Sequence, residues 1–272
     1  DVRWREGEEK PIPSAEECGQ HSALMEGGRK AHGLSFLHIP KTGGTSIEQS
    51  GHEIGIEWGQ YYWRFHGEGV RALGGADEGL RWWCNAWHMP PQVMITEDHI
   101  QYYRKQSSPS ALRTFCVVRN PLVRFLSAID HWYWRLPKSE RIQRARDVLS
   151  TDMKGVSMRG NPPWEGNWNF ADCHFTPQHV YVIGPAGTRT CDHVLFWEAL
   201  GTQFDRLMLQ YGLQANITHH HHMARAENAV EFLGAGDVPD DLLDEVYRMY
   251  STDYEMFYGD DHGYAHWKSQ HH

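Results

Sequence analysis

The sequence predicts one α/β domain with a mostly parallel central sheet flanked by helices. Short continuous apolar runs at 34–39, 114–118, 179–184 and 194–197 suit strands buried on both faces. Segments with helical spacing alternate with these runs, as in a parallel sheet whose crossovers are helices. The first run leads through a glycine turn into a helix start. A chain of 272 residues suits one large domain or two small ones, and at 40% hydrophobic it has material for a sizeable core.

Residues 1–33 are polar, with Pro11, Pro13 and Gly27-Gly28, and are expected to form a stem or linker. The domain is expected over 34–264, followed by a polar tail at 265–272. The strand at 34–39 precedes Pro40-Lys41-Thr42-Gly43-Gly44-Thr45-Ser46. Glycines let backbone N–H groups approach an anion, a helix N-terminus adds partial positive charge, and lysine adds a full one. The loop is not a Walker A sequence, because Lys41 precedes both glycines. The helix is expected from Thr45 to about Gln49, with Gly51 and Gly55 ending it.

Residues 52–85 show no clear period. A helix is expected from Met94 to Lys105. The run 114–118 stops at Arg119-Asn120-Pro121. Asn120 suits an N-cap and Pro121 the first helical position. Leu122, Phe125, Leu126, Ile129 and Trp132-Tyr133 then give one buried helix face. Residues 135–169, first basic and then Gly/Pro/Trp/Asn-rich, read as a long excursion. Strands are expected at 179–184 and 194–197. A helix carrying Phe204, Leu207, Met208 and Tyr211 should end at Gly212, and an acidic helix after Pro239 should bury Leu243, Val246, Tyr247 and Tyr250.

Net charge is −9 but segregated: residues 101–146 hold ten Lys/Arg against two acids, and residues 227–261 hold eleven acids against Arg248. The middle therefore attracts an anionic ligand, while the acidic total argues against nucleic acid as a partner. Twelve tryptophans serve either as core or as walls for sugar rings. The five cysteines show no C-x-x-C spacing. Cys116 reads as a buried thiol, and Cys173 and Cys191 as a disulfide if the compartment is oxidising. Asn216-Ile217-Thr218 is an N-glycosylation pattern. No apolar run is long enough to cross a bilayer. The chain starts at Asp1, so a membrane anchor is expected outside it.

Arg119, at a strand end, is followed eight residues later by Ser127, about two helical turns in. Both can grip one phosphate, with Arg124 nearby. Two anion sites after two strands match a nucleotide phosphorylated at its 5′ and 3′ ends. Here the sequence resembles the sulfotransferase family. Pro40 to Ser46 resembles its 5′-phosphosulfate loop, and Arg119-Asn120-Pro121-x-x-Arg124-x-x-Ser127 its 3′-phosphate motif. The resemblance is closest to Golgi membrane-anchored carbohydrate sulfotransferases of the heparan sulfate 2-O and chondroitin/dermatan type. It extends to His174-Phe175-Thr176-Pro177-Gln178 and to the later helices, over roughly residues 34–260.

The resemblance implies a single P-loop-like sulfotransferase domain in the Golgi lumen, using 3′-phosphoadenosine 5′-phosphosulfate (PAPS) and releasing PAP, with no metal required. Lys41, Thr42, Gly43, Gly44, Thr45 and Ser46 would hold the phosphosulfate, and Arg119 and Ser127 the 3′ phosphate. His88 lies where the 2-O group keeps its catalytic histidine, although His-Met-Pro-Pro replaces the paired His-x-His. An unperturbed pKa of about 6.5 suits it as base, with Lys41 steadying the leaving oxygen. His66, His174 and His179 are rival bases, and His38 is expected to pack or bond locally. His219 to His222 read as a solvated loop. The acceptor is expected to be a hydroxyl of a glycan, for which the aromatic clusters and the basic 135–159 stretch suit carboxylates or sulfates. They equally suit a small amphiphilic alcohol. A nucleotide-dependent phosphotransferase and a non-catalytic nucleotide- or glycan-binding module are the competing classes.

Overall fold

The computed structural model describes residues 33–59, 86–88, 90, 113–151, 170–183, 187–217 and 232–259. The stem, the tail, His66, the helix expected at 94–105 and the four adjacent histidines lie outside them. Within them the chain is α/β: a three-stranded parallel sheet in the order β1 (Leu34–Leu37), β2 (Arg113–Val118), β3 (His193–Phe196). The register sets Phe36 beside Phe115 and Cys116 beside Val194. Side chains alternate across the strands, so Leu34, Phe36, Phe115, Val117 and Leu195 face one core and Leu37, Cys116, Val118 and Val194 another.

Helix α1 (Gly44–Glu53) follows β1, and α2 (Pro121–Tyr133) follows β2. Asn120 caps α2 as expected, its side chain accepting from the N–H groups of Leu122 (3.1 Å) and Val123 (3.3 Å). Helices α3 (Lys138–Thr151), α4 (His179–Val182), α5 (Leu200–Gln210), α6 (Asp240–Met249) and α7 (Ser251–Phe257) complete the order. The first core packs α1 and α5 on the sheet through Ile47, Phe204, Leu207 and Met208, and the second packs α4 and α7 through Tyr181, Val182 and Phe257. Beside them α2, α3 and α6 share a third core of Phe125, Ile129, Val148, Leu242 and Val246.

Several expectations are corrected. Helix α1 continues through Gly51, which serves close packing instead of termination: a Cβ there would lie 2.5 Å from Cε3 of Trp58. The excursion after residue 135 contains α3, an ordered amphipathic helix. Of the strand expected at 179–184, residues 179–182 form instead the single turn α4, and Ile183 makes an isolated antiparallel bridge to Arg189. A carboxylate decides this: Asp253 accepts from the N–H groups of Gln178 and His179 (2.8 Å each) and from Nδ1 of His179 (2.7 Å). The first donors of a helical turn are thereby satisfied, and β propensity is overridden.

The cysteines also pair differently. Cys191 bonds to Cys116, Cα to Cα 6.0 Å, across the β2–β3 neighbourhood, and Cys173 is in a separate disulfide. Cys116 is therefore not a thiol. Two ion pairs join the segregated charges, Lys138 with Asp237 (2.9 Å) and Arg146 with Asp241, while Arg144 pairs locally with Asp147 (3.4 Å) and buried Arg141 with buried Asp130. The basic face of α3 is thus engaged by acids and offers no open cationic track among the described residues. No described helix is long and apolar enough to cross a membrane.

Asp253 is wholly buried, so its removal strands three donors. Asp253→Ala is expected to lower unfolding free energy by about 3 kcal/mol or more in denaturant titration. A loss below ~1 kcal/mol would refute its role in shaping α4.

Candidate active site

The loop after β1 is built by sterics. Lys41 (φ 69°) and Gly43 (φ 88°) both occupy left-handed backbone, which for lysine stores roughly 1–3 kcal/mol of strain. Thr42 is buried and its hydroxyl donates to the Ile39 carbonyl (2.8 Å), pinning the turn. Its side chain therefore supports the loop and does not line the cleft. A Cβ on Gly44 would lie 2.4 Å from Nε2 of His38, and one on Gly43 would lie 3.2 Å from Leu200 Cδ2 and 3.3 Å from Trp197 Cδ1. The turn can approach these rings only as glycine. Gly44, Thr45 and Ser46 then open α1 onto the cleft, where the first-turn N–H groups and the helix dipole favour an anion.

Arg119 is fixed from several sides. Its backbone N–H donates to Gln178 Oε1 and its carbonyl accepts from Gln178 Nε2 (2.8 Å each). Its guanidinium donates to the Lys41 carbonyl (3.2 Å) and stacks on Trp197 at 3.9 Å. Burial lowers its pKa to about 10, against the raising influence of Glu198 and Tyr258, so it is cationic at neutral pH. Ser127 lines the same cleft from α2. Arg124 does not reach it. That side chain is fully buried and donates to the carbonyls of Pro40 (3.3 Å), His174 (3.1 Å) and Thr176 (2.5 Å).

His88 ends the short turn Ala86–His88, and its carbonyl accepts from the Tyr181 hydroxyl at 2.8 Å. Its Nδ1 donates to the Asp172 carboxylate at 2.7 Å. The ring lies edge-on to His38 (4.8 Å) and His174 (5.0 Å). Burial draws the His88 pKa below its ordinary value, and the bond to Asp172 opposes this without reversing it. His174 donates from Nδ1 to the Asp172 carbonyl (3.1 Å) and stacks on His131 at 4.9 Å. Burial, with His88, Lys41 and His131 beside it, holds its pKa at about 2. His38 bonds Nδ1 to buried Glu48 (2.6 Å), the local bond expected. His179 bonds Asp253 and does not line the cleft.

Lys41, Gly43, Gly44, Thr45, Ser46, His88, Arg119 and Ser127 all line one cleft of about 630 Å³. Sequence reasoning missed Asp172 and His131. Asp172 lies 84 residues from His88, and its one local peculiarity, left-handed backbone at Asp172 (φ 57°) and Cys173 (φ 60°), is invisible in sequence. The ligand atoms of His88, Asp172 and His174 lie within 4.8 Å of one another, close enough to share a cation. Nδ1 of His88 is also in direct hydrogen-bond contact with the Asp172 carboxylate.

Comparison with protein-family models, curated proteins and solved structures gave no match.

The buried neutral histidine makes stability depend on pH. The unfolded chain protonates His174 near its ordinary value of about 6.5, whereas the folded chain resists protonation down to about 2. The unfolded state therefore binds more protons across this window, and stability, complete above it, falls as pH falls. Melting temperature should decline from about pH 6.5 to about 4.5 in the wild type and more shallowly in His174→Asn. Parallel slopes would show that His174 is not held neutral.

Proposed function

We propose that the cleft binds PAPS and transfers its sulfuryl group to a hydroxyl of an acceptor, a glycan in the first instance. The observation that carries the reading is that Lys41 and Arg119, 78 residues apart, are joined by a hydrogen bond in a cleft that also holds a His–Asp pair. The residues present fit the donor. The first turn of α1, which lines the cleft at Gly44, Thr45 and Ser46, would hold anion oxygens on its N–H groups. Lys41 supplies a cation there. Arg119 and Ser127 supply a second anion site for the 3′ phosphate.

In this mechanism His88 Nε2 accepts the proton of the attacking hydroxyl as the new O–S bond forms. Its Nδ1–H stays on Asp172, which holds the tautomer and stabilises the imidazolium. As the bond from sulfur to the bridging oxygen breaks, the electron pair goes to PAP, and Lys41 and the α1 N–H groups stabilise that oxygen. The disulfide-bonded cysteines support folding in an oxidising compartment, and a Golgi lumen is the location we propose.

PAP should raise the melting temperature well beyond ATP, and equal shifts would reject the donor. Arg119→Ala should abolish the preference for PAPS over adenosine 5′-phosphosulfate, which lacks the 3′ phosphate, and a preserved preference would remove Arg119 from that site.

His88→Ala should cut kcat by roughly 10²–10⁴-fold with PAP affinity nearly unchanged. Because the base works unprotonated and burial lowers its pKa, activity should be full at neutral pH and fall only below the ordinary histidine value. Asp172→Asn removes the group that raises that pKa. It should reduce kcat and move the acid limb to still lower pH. An unmoved limb would leave Asp172 a structural role only.

A further inference from the structure

The triplet Asn216-Ile217-Thr218 takes no part in the proposed reaction. It is the one Asn-x-Ser/Thr in the chain, and its middle residue is not proline. A triplet alone decides little. A glycosylated asparagine must also keep its side chain in water once the chain has folded, because the hydroxyls of an oligosaccharide cannot be packed unpaired into a core.

The backbone around Asn216 meets that condition. Helix α5 gives way to a left-handed Gly212 (φ 65°), and the Leu213 N–H turns back to the Met208 carbonyl (2.9 Å), a glycine stop that releases the chain from the helix. Residues 213–217 form neither helix nor strand, and their burial alternates. Leu213 is half-buried, Gln214 exposed, Ala215 buried, Asn216 exposed and Ile217 half-buried. Leu213, Ala215 and Ile217 pack with the core that α1 and α5 share. A period of two belongs to extended backbone, whose successive side chains point to opposite sides. Asn216 therefore faces outward. The Ser50 hydroxyl of α1 donates to the Asn216 carbonyl (2.6 Å) and holds this register, since a slip by one residue would turn the asparagine into the core. Ile217 lines the cleft, so Asn216 points away from a cleft wall. The Cys116–Cys191 disulfide and that of Cys173 fit an oxidising compartment, where such triplets are modified.

We infer that Asn216 carries an N-linked oligosaccharide that stands outside the cleft, behind the wall to which Ile217 contributes. In the modification a bond forms between Nδ2 of Asn216 and the anomeric carbon of the oligosaccharide. The bond from that carbon to the diphosphate of a lipid-linked donor breaks, and its electron pair leaves with the diphosphate. The amide nitrogen gives up one proton to the transferase of the compartment. The inference goes beyond sulfuryl transfer and shares with that reading only the lumenal location.

The full chain would be directed into the secretory pathway of a eukaryotic cell behind a cleavable signal, and the secreted and retained fractions both analysed. Peptide mapping by mass spectrometry, after release with peptide N-glycosidase in heavy-oxygen water, should find Asn216 converted to labelled aspartate in most molecules. Asn216→Gln and Thr218→Ala should each remove the whole oligosaccharide mass, the second while keeping the asparagine. An Asn216 unmodified in both fractions overturns the inference. The outward placement is read on the folded protein. The glycosidase should release the oligosaccharide without denaturant and leave the melting temperature unchanged, and PAP should bind the intact and the released protein equally. Release only after unfolding, or a Kd for PAP that tightens several-fold on release, would set the oligosaccharide against the fold or across the cleft and overturn the placement. If PAP binds neither form, the donor reading fails by itself, and the mapping and the native release still decide the modification and where it stands.

Discussion

A guanidinium with no access to water holds the cleft together. Arg124, on α2, is 0% exposed and donates to the carbonyls of Pro40, His174 and Thr176. Pro40 begins the glycine loop, and His174 and Thr176 follow Asp172. One side chain thus fixes the distance between the loop that offers N–H groups and the segment that offers the carboxylate. A buried cation is costly unless its donors are met, so once the helix is packed these carbonyls have little freedom to be elsewhere. Tyr250 closes the arrangement, with its ring 5.5 Å from Arg124 and its hydroxyl donating to the Phe175 carbonyl (2.8 Å). Asp253 then organises the next turn from α7.

The cations of this molecule divide by what holds them. Those of α3 face carboxylates, and their charge is matched within the fold. Arg119 is held by a carbonyl oxygen and an indole face. Glu198, the acid near it, accepts from the Asn120 N–H (2.8 Å) and the Tyr258 hydroxyl (3.2 Å). A carbonyl or a π face orients a guanidinium without cancelling its charge, so Arg119 keeps a field that an anion can use. The net charge of −9 says nothing of this, because it does not report that Lys41 and Arg119 share one cleft.

What the sequence revealed was local. The strand, glycine turn and helix start at 34–46 and the Asn120-Pro121 helix start each follow from neighbouring residues, and the structure has them. What it concealed depends on partners far along the chain. The turn at His179 looked like a strand because its apolar run has strand composition, while the carboxylate that makes it helical lies 74 residues on. The Cys116–Cys191 pairing spans 75 residues and depends on β2 and β3 being neighbours, which no spacing announces. Arg124 and Arg119 sit in the same short motif and read alike, yet helix geometry turns one into the core and leaves the other at the cleft. Two of the stretches that line the cleft, the glycine loop and Arg119 to Ser127, were legible as candidates in the sequence. The pairing of His88 with Asp172 was not, since neither residue has a local signal.

The charge balance of the cleft bears on the kind of group it can move. Its two acids among the described residues are both committed, Asp130 to Arg141 and the Leu233 N–H and Asp172 to His88. Stabilisation of a transferring group would then come from Lys41, Arg119 and the first turn of α1: two full charges and a helix dipole. A phosphoryl group in flight spreads its charge over three oxygens and commonly requires metal ions to offset it. A sulfuryl group carries less, and fixed donors already facing the site can supply what it needs without reorganising. The hydroxyl that attacks it is neutral, and the partner it most needs is a base that stays unprotonated near neutral pH. In the proposed reaction, burial of His88 beside Asp172 would provide that state, because desolvation disfavours the imidazolium and the carboxylate would stabilise it once a proton arrived.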